Sequence, residues 1–253
     1  MFASAVKIMF SGWYFLLIPF FFPLLDVLLS ALTPVNLIAN LDYLFIAVIV
    51  LDALKSAAIW SFLAFFAHKT ALKMGGCSLR ALREAFGRFA MCFLVLSLII
   101  DLPNLVRLYV ITIEFRFNVS SSSIVFYSIA NLIITAILAL VVLSVAGILL
   151  PAALDDRQNW YQLAKSQGMA NSLRTSWLLL RWPGSVYIAL ITINLAVWAY
   201  TGEAPESSLV NAILNQSGFA QVLLRTIANG LIVVLTAMVL SRRYIEVRGE
   251  ASL

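Results

Sequence analysis

Six long apolar runs set the terms for this chain. They cover roughly residues 11–32, 44–67, 89–113, 124–150, 183–200 and 221–241. A helix needs about 20 apolar residues to cross a bilayer, and each run is close to that length or beyond it. In lipid every backbone N–H and C=O must be satisfied within the protein, so only helices and closed barrels span it. Barrel strands alternate apolar and polar residues over segments of about ten, whereas runs such as FLLIPFFFPLL do not alternate. The expectation is an all-α fold: a polytopic membrane protein of six transmembrane helices, one domain over residues 1–253. Composition argues against the soluble alternative. Of the 253 residues, 62% are hydrophobic and 11% charged, against about half and a quarter in a soluble domain.

The connections sort by charge. One set holds Lys69, Lys73, Arg80, Arg83 and Arg88 after the second run, and Arg157, Lys165, Arg174 and Arg181 after the fourth. It also holds Arg242, Arg243 and Arg248 after the sixth, and Lys7 precedes the first. The other set (33–43, 114–123 and 201–220) holds only Arg116. Lys and Arg stay on the cytoplasmic side of a membrane, so both termini are expected there. An even number of crossings requires the same. Five of the six tryptophans, Trp13, Trp60, Trp160, Trp177 and Trp182, fall toward that inner side. The first run is too long for a signal h-region and lacks an A-x-A-like site after it, so it is expected to remain a span. The expected location is a plasma membrane, the inner membrane of a bacterial cell. The net charge of +5 then reflects basic inner connections and anionic lipid rather than nucleic acid. Cys77 and Cys92 are expected to be free thiols.

Two inner connections carry further pattern. In GGCSLRALREAFGRFAM, Gly75 and Gly76 interrupt a helix and Ser78 can cap the next. Leu79, Leu82, Phe86 and Phe89 share one arc of that helix, with Arg80, Glu84 and Arg88 opposite and Arg83 near the boundary. This predicts a helix lying on the membrane interface, with Arg80, Arg83 and Arg88 toward anionic headgroups. An ordinary basic connection is the plainer alternative. In the longer connection after the fourth run, Asp155 or Asp156 can cap a second amphipathic helix. There Pro183-Gly184 marks the start of the fifth span.

SLRALREAFGRFAMCFLVLSLI after the second run, with LPAALDD and NSLRTSWLLLRWPGSVYIAL after the fourth, resembles a class of bacterial inner-membrane proteins. The class comprises the YciC-like proteins and the membrane domain sometimes fused to glycerophosphodiester phosphodiesterases. The resemblance implies a membrane domain engaged in envelope maintenance or lipid handling. The phosphodiesterase barrel has no counterpart here, so hydrolase activity is not implied.

The spans also carry polar side chains, and these are the candidate site. Asp26 lies in the first; Asp52 and Lys55 in the second; Asp101, Asn104 and Arg107 in the third; Arg225 and Asn229 in the sixth. Asn131 and Asn194 lie in the fourth and fifth. From the orientation above, all fall at mid-membrane or in the outer half. A charge at the bilayer centre costs about 2.5–3.5 kcal/mol, so these groups need partners or water. Asp52 and Lys55 are three apart and can pair on one helix face. They can converge with the others in a closed network, line a polar cavity that opens outward, or serve a subunit contact. Arg107 and Arg225, near span ends, can instead snorkel to the headgroups. Ala53, Ala57 and Ser61 repeat every fourth residue, a spacing that permits close helix approach.

Catalytic chemistry is not evident. The one histidine, His68, is read as an interfacial residue, and a His-rich metal site or paired-His haem is ruled out within the chain. No P-loop, G-x-S-x-G or H-E-x-x-H occurs. Neither enzymatic activity nor a cofactor is expected. The sequence favours an accessory or scaffold component of a membrane complex, with lipids and protein subunits as partners. The alternative is a small transporter or lipid-handling protein built around the polar cluster.

Overall fold

A computed structural model describes residues 1–14, 17, 42–74, 79–116, 121–155, 160–201 and 216–250. Among them every regular element is helical: α1 (Phe2–Ser11), α2 (Asp42–Ala71), α3 (Leu79–Arg116), α4 (Ser121–Ala146), α5 (Leu149–Ala152), α6 (Trp160–Ala170) and α7 (Ser172–Leu179). A π-helical turn (Leu180–Gly184) then leads into α8 (Ser185–Thr201), and α9 (Gln216–Glu250) ends the described chain. The all-α expectation holds, and no strand occurs among the described residues. The predicted span 11–32 lies almost wholly outside them.

Two described helical segments, Arg80–Asn104 and Ser172–Ile193, are long and apolar enough to cross a membrane, with mean hydropathies of 2.0 and 1.3. The outward faces fit that solvent. On α3 the exposed large residues are Met91, Val95, Ile99, Leu102 and Val106, which fall within one arc at about 100° per residue. On α4 they are Ile133, Ile134, Ile137 and Val141. In a water-soluble helix the solvated face is the polar one; here it is the oily one.

α2 packs against both α3 and α9, α3 packs against α4, and α1 lies along α9. Small side chains line the buried side of α2. Ala57, Ser61, Ala64 and Ala67 are all buried; the side chain of Ala53, the first member of the predicted small-residue stripe, lies outside the described residues. Around that buried side Phe89, Leu96, Leu150, Leu154 and Leu240 form one core. Ala5, Met9, Leu63, Val234 and Leu235 form another. Gly147 lies where α9 crosses: a Cβ there would collide with the Leu143 carbonyl oxygen and come 2.9 Å from a Leu240 methyl.

Two expectations about boundaries change. Leu79–Phe89 is not a separate interfacial helix. It is the first part of α3, which runs 38 residues and stays helical through Pro103. Its apolar arc packs on α2: the Phe86 ring stacks on Phe62 at 5.0 Å, and Phe65 meets both Phe86 and Phe89 edge-on. Nothing between Ser78 and Pro103 breaks a helix, and the arc finds a protein partner before it finds lipid. Pro183-Gly184, read as the entry to the fifth span, does not interrupt the helix. The chain is helical from Ser172 to Thr201, and the proline sits in the π turn. Proline lacks an N–H and clashes with the carbonyl four residues back. A wider turn removes that conflict, and Gly184 leaves space beside the Leu179 carbonyl, which an added Cβ would meet at 3.1 Å.

Candidate functional site

The polar residues of α3 and α4 meet one another. Asn104 Nδ2 donates to Asp101 Oδ1 at 3.1 Å, one helical turn away. Asn131 Nδ2, on α4, donates in turn to Asn104 Oδ1. Asn131 is 6% exposed, although α4 otherwise turns isoleucines outward. Asp101 and Asn104 lie on the side of α3 opposite the Met91–Val106 arc. A carboxylate and two amides, joined by two hydrogen bonds, thus form a chain between two apolar helices. Each link pairs a donor with an acceptor in a part-buried seam, where an unpaired polar group is costly.

Of the other residues expected in this cluster, Asn229 is partly buried on α9. Asp26 lies outside the described residues. So do the side chains of Asp52, Lys55, Arg107 and Arg225, although their backbones are helical in α2, α3 and α9. Asn131 is the partner that the six-residue spacing of Asp101 and Arg107 does not reveal. Its signal is plain in retrospect: an amide in an otherwise apolar helix.

A second polar layer gathers at one end of the bundle, the end that carries most described Lys and Arg. His68, read as an interfacial residue, is enclosed by protein. It is 1% exposed, its Nδ1 lies 2.8 Å from Ser241 Oγ, and the Phe89 ring meets it edge-on. It sits one residue beyond the apolar run of α2, and burial lowers its pKa to about 3. The imidazole is therefore neutral near pH 7, when one ring nitrogen accepts and the other donates. Asp156, one of the two cap candidates, lies outside the described residues, and Asp155 reaches across to α9. Its Oδ2 accepts from Tyr244 Oη at 2.6 Å and faces Arg248 at 3.7 Å.

Of the three arginines expected to meet lipid headgroups, Arg80 and Arg83 are exposed, and Arg80 pairs with Glu84 at 3.2 Å. Arg88 turns inward and donates through Nε to the Ala153 carbonyl at 3.1 Å, tying α3 to the segment after α5. On α9, Glu246 faces three guanidiniums: Arg242 at 3.2 Å, Arg174 of α7 at 3.6 Å, and Arg243. Arg243 is 1% exposed. Cys92 is a half-buried free thiol. Among the described residues no group of three His, Cys, Asp or Glu side chains is placed to hold a metal.

Compared with protein-family models, with curated proteins and with solved structures, the chain finds no match in any of the three.

Proposed function

We propose that this chain is a non-enzymatic integral membrane protein, an accessory or scaffold component of a bacterial inner membrane. It crosses six times, with both termini in the cytoplasm. The observation that carries this is the chain Asp101–Asn104–Asn131, whose members bond to one another between α3 and α4. A conduit presents its polar groups to water or to a substrate. A clamp turns them onto each other, and the same habit recurs at His68–Ser241 and Tyr244–Asp155. The apolar outward arcs of α3 and α4 suit contact with acyl chains or with a membrane subunit. The basic connections, Arg80 and Arg83 among them, face the cytoplasmic headgroups. Envelope maintenance or lipid handling, as in the YciC-like class, is the setting that fits this arrangement.

Affinity purification of the full chain in mild detergent, with mass spectrometry of what accompanies it, tests the proposal. A scaffold is expected to bring down a membrane protein in near-stoichiometric amount. No partner, together with substrate-dependent flux in reconstituted vesicles, would replace it with the transporter alternative.

A further inference from the structure

Glu246 is over-subscribed. Three guanidiniums carry about fifteen N–H donors, and one carboxylate offers about four acceptor sites. The group formed by Arg174, Arg242, Arg243 and Glu246 holds three positive charges and one negative. Arginine does not discharge by losing its proton. Burial makes the imbalance costly at Arg243, whose Nε is enclosed and has no hydrogen-bond partner among the described residues. Arg174 and Arg242, by contrast, are about two-thirds exposed, at 64% and 65%. The site therefore has a fixed, charged floor and two outward cations with acceptors to spare for none of them.

What lies beside it is apolar and uncovered. Leu173 and Trp177, one turn apart on α7, are 86% and 63% exposed, and Leu180 follows on the same side. Trp177 is three residues from Arg174, so the two share a helix face. The helical stretch from Ser172 to Thr201 has 30 residues and is about 45 Å long at 1.5 Å per residue. The hydrocarbon core is about 30 Å thick. When residues after Pro183 fill that core, Arg174 and Trp177 stand at headgroup depth, where tryptophan is favoured.

We infer that Arg174 and Arg242, seated on Arg243 and Glu246, bind the phosphate of an anionic glycerophospholipid, with its acyl chain along Leu173, Trp177 and Leu180. A phosphodiester supplies both the missing negative charge and the missing acceptors, and arginine pairs with it in bidentate fashion. The oily bed distinguishes the lipid from free phosphate, which has no use for it. This site is separate from Arg80 and Arg83. It rests on the inner-membrane proposal above.

The test is retention of short-chain phosphatidylglycerol by the purified full chain in mild detergent, read by native mass spectrometry. Phosphatidylcholine and inorganic phosphate are the comparison probes. Wild type is expected to hold phosphatidylglycerol, to hold phosphatidylcholine poorly, and to keep its lipid in excess inorganic phosphate. Arg174→Gln/Arg242→Gln is expected to bind phosphatidylglycerol about thirtyfold more weakly, from the loss of two cations at the membrane surface. Arg174→Lys/Arg242→Lys should recover part of that loss. Both arginines are exposed, so the variants should fold, and an unchanged thermal midpoint verifies it. Unchanged retention in the Gln variant overturns the inference, as does displacement by inorganic phosphate. A changed oligomeric state with unchanged lipid also overturns it, assigning the face to a second copy. Membrane fractionation separates this from the parent proposal: wild type that remains in the membrane while showing no lipid preference removes the site alone.

Discussion

His68 Nδ1 and Ser241 Oγ lie 2.8 Å apart, joining α2 to α9 across 173 residues of chain. The bond is enclosed, and both side chains are essentially inaccessible, at 1% and 0%. It fastens two helices far apart in the chain where their apolar runs end.

The histidine makes stability depend on acid. Its folded pKa is depressed to about 3 from 6.5, so below pH 6.5 the unfolded chain binds a proton that the folded chain refuses. The contribution is whole above pH 6.5 and is lost as the pH falls toward 3. From neutral pH to pH 5 the loss is about 2 kcal/mol. Thermal unfolding in detergent at pH 7 and pH 5 measures it. His68→Asn, which keeps a polar group near Nδ1 and cannot titrate there, is expected to flatten the difference between the two midpoints. A difference as large as that of wild type would contradict the assignment.

Asn104 and Asn131 should be energetically coupled. In a double-mutant cycle with Asn104→Leu and Asn131→Leu, the coupling is expected at about 0.6–1.7 kcal/mol, the range for hydrogen bonds between membrane helices. Asn104→Leu strands the buried Asn131 amide, and Asn131→Leu takes the donor from the part-buried Asn104 carbonyl, so each should cost more than half of the double. Unfolding in mixed detergent micelles gives all four values. A coupling near zero would mean that the two amides do not share a bond.

Gly168 holds α6 against the end of α4. A Cβ at this position would collide with the Val145 carbonyl oxygen, a backbone atom that has no rotamer into which it can retreat. Gly168→Ala is expected to lower the detergent thermal midpoint by several degrees, corresponding to about 1–3 kcal/mol for an overpacked site. Gly87→Ala is the matched control, since nothing lies within 4 Å of its Cβ position. Helix propensity alone should make that variant neutral or slightly stabilising.

What was legible in the sequence follows what periodicity and hydropathy encode. The runs at 44–67 and 124–150 locate α2 and α4 to within a few residues, because apolar content alone decides where a long helix can lie. The arc of Leu82, Phe86 and Phe89 is equally plain, yet an amphipathic arc records only that one face avoids water. Whether lipid or Phe62 and Phe65 cover it is a tertiary fact. Pro183-Gly184 reads as a boundary because a proline breaks an α-helix; a π turn is the way through, and no local pattern announces it. Asp101 and Asn104, three apart, are a pair that spacing permits. Asn131 stands out by its chemistry but not by its partner. The bonds from His68 to Ser241 and from Arg174 to Glu246 cross so much chain that only the packed bundle defines them.

The most direct test of the Asp101–Asn104–Asn131 chain as a clamp is thiol labelling from the two faces of the membrane. Single cysteines replace Asp101, Asn104 or Asn131 in a background of Cys77→Ser and Cys92→Ser, and intact and inverted vesicles are treated with a membrane-impermeant maleimide. The expected result is protection of positions 104 and 131 from both faces, with labelling only after denaturation. Rapid modification of either position in folded protein, from one side or the other, would contradict the clamp and point to a water-filled path between α3 and α4.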